Sequence, residues 1–142
     1  MKSITAFILL IWCFSSQAQE PKIKNCVYSL NSVKGARNPK EFPMDNDLNY
    51  LQIENGEAVV NYRCRGKVTF YQGAVKDYAV TKSGTVETTS FYLAPTGLGS
   101  KTINLEISLL ENGQYQVHLF DKLGSLDTFL SAELSNKDIF KQ

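Results

Sequence analysis

The stretch Lys101-Thr102-Ile103-Asn104-Leu105-Glu106-Ile107-Ser108-Leu109-Leu110-Glu111 decides the fold class. Ile103, Leu105, Ile107 and Leu109 alternate with Asn104, Glu106 and Ser108, which is the period of a strand with one buried and one wet face. Sheets wetted on one side are antiparallel. Beyond Asn112-Gly113 the pattern returns, with Tyr115, Val117 and Leu119 apolar. A two-residue turn would set Leu109 against Gln116. A three-residue turn, Glu111-Asn112-Gly113, sets Leu109 against Tyr115 and Ile107 against Val117, so it keeps the apolar faces together. Gly113 then takes the left-handed position that closes a three-residue hairpin.

Working outward, the same reading places strands near 25–31, 48–54, 57–64, 67–72, 77–82, 85–93, 101–110, 114–120 and 125–132. Asn55-Gly56 predicts a two-residue type I′ turn that pairs Ile53 with Ala58 and Leu51 with Val60. Matching the faces predicts three-residue turns at Cys64-Arg65-Gly66 and Lys82-Ser83-Gly84, and a four-residue loop at Asp121-Lys122-Leu123-Gly124. Gly73 marks either a bulge in one long bent strand or the start of a turn. Residues 32–47, with Gly35, Pro39 and Pro43, make a connection long enough to be a crossover or a functional loop. Residues 94–100 form a second irregular loop, and 133–142 a short tail. The expectation is an all-β, antiparallel single domain of eight or nine strands, a β-sandwich or a small barrel.

Residues 1–18 read as a cleaved signal peptide. Lys2 supplies the positive start, Ile4–Phe14 the apolar run, and Ser16-Gln17-Ala18 the small residues before a cut at Gln19. The run is too short to span about 30 Å of hydrocarbon, and Trp12 spoils a lipid-attachment site at Cys13. The domain is then 19–142, secreted or periplasmic, with no membrane span in the mature chain. The whole sequence has 15 Lys+Arg against 14 Asp+Glu. That balance leaves no basic stripe for nucleic acid.

Motifs for chemistry are sparse. His118 is the only histidine and falls on a polar strand face, so a two-histidine metal site is excluded. Lys82-Ser83-Gly84 imitates an element of penicillin-binding enzymes, but the Ser-x-x-Lys that must accompany it is missing. Asp45-x-Asp47-x-Asn49 begins like a calcium loop, yet its sixth position is Tyr50 rather than Gly and its twelfth is Gly56 rather than Glu. These acids read instead as caps for the next strand. Gly97-x-Gly99 precedes a strand, not a helix, and makes no phosphate cradle. No enzyme, cofactor or metal is expected.

Cys26 and Cys64 survive cleavage, and an even pair in an exported chain suggests a disulfide. In a pure strand meander the two would lie at opposite ends, roughly 20 Å apart at 3.3 Å per residue. A bridge therefore argues for a sandwich or Greek key. Alternation puts Tyr28, Tyr62, Phe70, Tyr78 and Tyr115 on the inner face. It puts Tyr50, Tyr71 and Phe120 outside, where Arg63 and Arg65 join them as a candidate interaction surface. The function expected is an exported, non-enzymatic binding domain for an unknown protein or surface partner. The alternative is a carrier of a small apolar ligand, which resembles lipocalin-type barrels in architecture alone. Those carry Gly-x-Trp on the first strand, and 19–142 has no Trp.

Overall fold

A computed structural model describes residues 22–38, 40–46, 48–94 and 101–135. The expected signal peptide lies outside the described residues, as do most of the 94–100 loop and the end of the tail. The strands are β1 (Cys26–Gly35), β2 (Glu41–Pro43), β3 (Tyr50–Glu54), β4 (Glu57–Cys64), β5 (Lys67–Ser83), β6 (Val86–Leu93), β7 (Ile103–Leu109), β8 (Tyr115–Phe120) and β9 (Asp127–Ser135). Each hydrogen-bonds antiparallel to its neighbours in the order β2-β1-β3-β4-β5-β6-β7-β8-β9, and β9 returns to pair with β1. Eight strands thus close into an up-and-down barrel, which decides against the sandwich. Closure leaves no long sheet edge exposed.

The barrel is filled. Leu51, Ala58, Val60, Leu105, Val117, Leu119 and Leu130 have no measurable exposure and meet along the axis. Each of the larger ones contributes about 1.5–3 kcal/mol by leaving water. Alternation from Ile103 to Leu109 accounts for β7 as expected: Ile103, Leu105 and Ile107 point inward, and Leu109 pairs with Tyr115 and Ile107 with Val117. The three-residue turn forms, with Gly113 at φ 84° and its N–H donating to Leu110 O at 3.0 Å. Asn55-Gly56 is the expected type I′ pair, both residues having positive φ.

Two turns differ from the expectation. Cys64 pairs with Lys67, so the β4–β5 turn is the two residues Arg65-Gly66, again with both φ positive. Ser83 pairs with Val86 across Gly84-Thr85; only Gly84 has positive φ there, as a type II′ turn requires. Moving a turn by one residue reverses every side chain on the strand it feeds. Tyr71 therefore sits opposite Val60 and faces the core, and Phe70 sits opposite Asn61 and faces out. The β8–β9 loop has the expected four residues, but they are Lys122–Ser125, since Asp121 N–H donates to Leu126 O.

Residues 67–83 are one strand. Its bulge lies at Lys76–Ala79, where Asp77 adopts φ 54°. Gly73 is small for another reason: a Cβ there would stand 2.6 Å from Ala94 O. The long connection is no crossover. β1 carries a bulge between Leu30 and Ser32, runs on to Gly35, and β2 folds back along its Ser32–Lys34 edge. β1 and β4 remain parallel, so Cys26 and Cys64 lie at opposite ends. Both are free thiols, and the expected disulfide is corrected by the barrel geometry itself. Burial pushes both thiols above their ordinary pKa, which keeps them protonated and weakly nucleophilic.

Candidate functional site

The segment leading into β3 shapes one wall of the barrel. Asp45 reaches the β4–β5 turn: its carboxylate accepts the Arg65 N–H at 3.0 Å and the Gly66 N–H at 2.9 Å. Asn49 accepts the Arg63 N–H at 2.7 Å and donates to Asp45 O at 3.0 Å. Asp45 thus caps a turn twenty residues away rather than the strand that follows it. Arg63 Nε lies 3.7 Å from the same carboxylate. Among the described residues no group of His, Cys, Asp and Glu could hold a metal ion.

With this turn held, the outer face of β3–β4–β5 is set. Tyr50, Asn61 and Phe70 form one cross-strand row, and Arg63 and Val68 form a second pair beside it. Asn61 Nδ2 donates to Leu48 O at 3.3 Å, which brings Leu48 to the same wall. Val68 is 61% exposed, Phe70 54% and Leu48 47%. Large apolar side chains rarely gather on a wet sheet face without a use.

Of the five residues expected to make an interaction surface, Tyr50 and Arg63 stand together on this wall. Arg65 lies at its end, with its guanidinium 4.6 Å from the centre of the Phe42 ring. Tyr71 is turned inward, packed against the core; burial, and then the Asp121 carboxylate, push its phenol pKa up. Phe120 does face outward, but on β8, with β9 and β1 between it and β3. Sequence reasoning missed Val68 and Phe70. Their signal was present, since they alternate with Lys67, Thr69 and Tyr71, but the three-residue turn put Phe70 on the inner face and left Val68 unassigned.

Phe120 belongs to a different cluster. The His118 imidazole lies between Phe120, centroids 4.6 Å apart, and Phe129, 4.3 Å apart. Its Nε2 is 2.7 Å from Asp127 Oδ1 and its Nδ1 3.9 Å from Glu106. Lys34 sits 5.8 Å over Phe129. The histidine is held on the convex outer wall by stacking and by acids on the neighbouring strands.

Each mouth of the barrel is recessed. At the end where β4 meets β5, Tyr71, Leu93, Ile103 and Leu126 line a hollow of about 610 Å³ with Lys67, Lys101 and Asp121 at its polar side. Asp121 accepts a hydrogen bond from the Ser125 hydroxyl and the Leu126 N–H at 3.2 Å; the Ser125 bond comes first in holding its carboxyl below the usual range. At the opposite end Tyr28, Ile53, Tyr78, Ile107, Leu109 and Tyr115 line a hollow of about 500 Å³.

No protein-family model matches this chain, and no curated protein matches it in sequence. Among solved structures it is similar to a DUF4251 family protein from Bacteroides eggerthii DSM 20697, with a TM-score of 0.59 at 15% identity over 77% of this chain and 78% of that one. At that identity the likeness is one of fold: an all-β antiparallel barrel.

Proposed function

We propose that this chain is an exported, non-enzymatic binding domain that holds a protein partner on the outer face of β3–β4–β5. The observation that carries the reading is the row Tyr50–Asn61–Phe70 with Val68 and Leu48 beside it. It is an apolar patch with a polar centre, bordered by Arg63, on a wall made rigid by the Asp45 and Asn49 hydrogen bonds. Aromatic residues and arginine around a desolvatable centre are the usual anchors of protein interfaces. Barrel closure supports the reading too, because side chains fill the axis where a carrier would hold its cargo. The histidine and its acids sit on a convex wall, a poor place to enclose a substrate. Export rests on Lys2, the apolar run and Ser16-Gln17-Ala18; N-terminal sequencing of the native protein should begin at Gln19.

The test is capture from the extracytoplasmic fraction of the source cells with wild type, Val68→Ser/Phe70→Ser and Leu123→Ser. Leu123, 86% exposed, is an apolar residue on the β8–β9 loop, outside this wall. The expected result is a partner, identified by mass, that wild type and Leu123→Ser retain and the double variant loses while still folded. Equal capture by all three would end this reading.

A further inference from the structure

The mouth opposite the β4–β5 turn carries features that a filled barrel does not need. Its floor is the buried pair Ile53 and Ile107, and its walls are the rings of Tyr28, Tyr78 and Tyr115 with Leu109. Tyr28 and Tyr115 meet edge to face with centroids 5.2 Å apart, and Tyr78 stacks on Phe91 at 6.3 Å, so the walls are braced from behind. Burial first, and then the neighbouring Cys26, Tyr115 and Tyr78, push the Tyr28 phenol above its ordinary pKa. The three rings line a common space, and the Tyr28 hydroxyl stays protonated and hydrogen-bonded to Cys26.

The rim is charged asymmetrically. Glu87 lies there, but Lys82 is 3.8 Å from its carboxylate. Lys22 and Lys24 stand on the other side, with no acidic partner among the described residues. Burial raises the Cys26 thiol pKa, and the Tyr28 hydrogen bond and then the charge of Lys24 offset part of that rise. The hollow's volume of about 500 Å³ falls within the roughly 300–1,000 Å³ of small-molecule sites, which occur at the mouths of β-barrels.

We propose that this mouth binds a small monoanionic amphiphile, its apolar body on Ile53, Ile107 and Leu109 between the tyrosine rings and its acidic head at Lys22 and Lys24. The phenols of Tyr78 and Tyr115 offer hydrogen bonds to the oxygens of the head as it enters. This inference is independent of the β3–β4–β5 wall, which lies on the outside of the barrel.

The probes are decanoate, decanol and decyltrimethylammonium, each below its aggregation limit, measured by calorimetry and by NMR on the folded chain at low salt. Decanoate should bind saturably and best, decanol more weakly, and the cation not at all. Lys22→Ala/Lys24→Ala should lose about five- to tenfold in decanoate affinity and leave decanol unchanged, the scale expected for two exposed ion pairs. Decanoate should shift the ring resonances of Tyr28, Tyr78 and Tyr115 in wild type, a readout that needs no variant to fold. Phe70→Ser should bind decanoate normally, so loss of the partner site and loss of this site are separable. Absence of saturable binding, equal binding of all three head groups, or shifts at Tyr50 and Phe70 in place of the mouth tyrosines would overturn the proposal. So would binding to anionic phosphatidylglycerol vesicles without binding to monomeric decanoate, since the site would then read a membrane surface.

Discussion

Two outer walls of the barrel carry aromatic rings, and they are built differently. On β7–β8–β9, Phe120 and Phe129 enclose His118, and Asp127 and Glu106 hold its nitrogens. The rings there serve the sheet itself, as cross-strand partners. On β3–β4–β5, Phe70 and Val68 keep more than half their surface in water, and the hydrogen bonds of that wall go to its backbone and turn. An aromatic residue on a wet strand face therefore says little by itself. What separates a structural ring from a binding ring is whether the neighbouring strands already cover it.

The sharpest way to break this contrast is within β5, where adjacent aromatics face opposite ways. Tyr71→Ala opens a hole against the core and should cost roughly 2–3 kcal/mol. Phe70→Ala should stay within about 0.5 kcal/mol of wild type. Denaturant unfolding of the pair decides the register, because equal losses would mean that the strand faces are misassigned. Next in size is Phe129→Ala, which removes the stack on His118 and should destabilise by about 1 kcal/mol. A cost no larger than that of Phe70→Ala would erase the difference between the two walls.

The smallest effect is one of pH. The Asp121 carboxyl is held low by Ser125 and the Leu126 N–H, so the folded state binds its proton less readily than the unfolded chain. Its contribution is present above the unfolded carboxyl pKa of about 3.9 and is lost as pH falls through the folded value. Asp121→Asn should therefore flatten the acid limb of the stability curve below about pH 4. The same acid limb in variant and wild type would show that the mouth beside Tyr71 does not hold this carboxylate.

Much of the barrel was legible because period-two alternation is a local signal. Ile103–Leu109 and Tyr115–Leu119 declare their faces residue by residue, and Glu111-Asn112-Gly113 has one length that matches them. The β4–β5 hairpin offered no such check. Phe70 and Tyr71 are both aromatic, so either face could be taken as apolar, and a one-residue change of turn carried Tyr71 to the wrong side. The candidate wall was half legible for the same reason: Tyr50 and Arg63 were placed on the outer face, whereas Phe70 was assigned to the interior and Val68 to neither. The cysteine pair misled because compartment and parity favour a bridge, while only strand order tells whether the sulfurs can meet.

The sequence by itself determined an antiparallel all-β domain, the type I′ turn at Asn55-Gly56, the left-handed Gly113 and the inward faces of β3, β4, β7 and β8. All of these follow from steric and hydrophobic preferences acting over a few residues. Tertiary structure alone decided that β9 closes on β1, which rests on pairings a hundred residues apart, such as Ser32 with Ser131. It also decided the β4–β5 turn. Arg65 adopts a left-handed backbone, uncommon for a residue with a Cβ, because the Asp45 carboxylate accepts both turn N–H groups from across the sequence. That contact sets which face of β5 is wet, and so which residues a partner can touch.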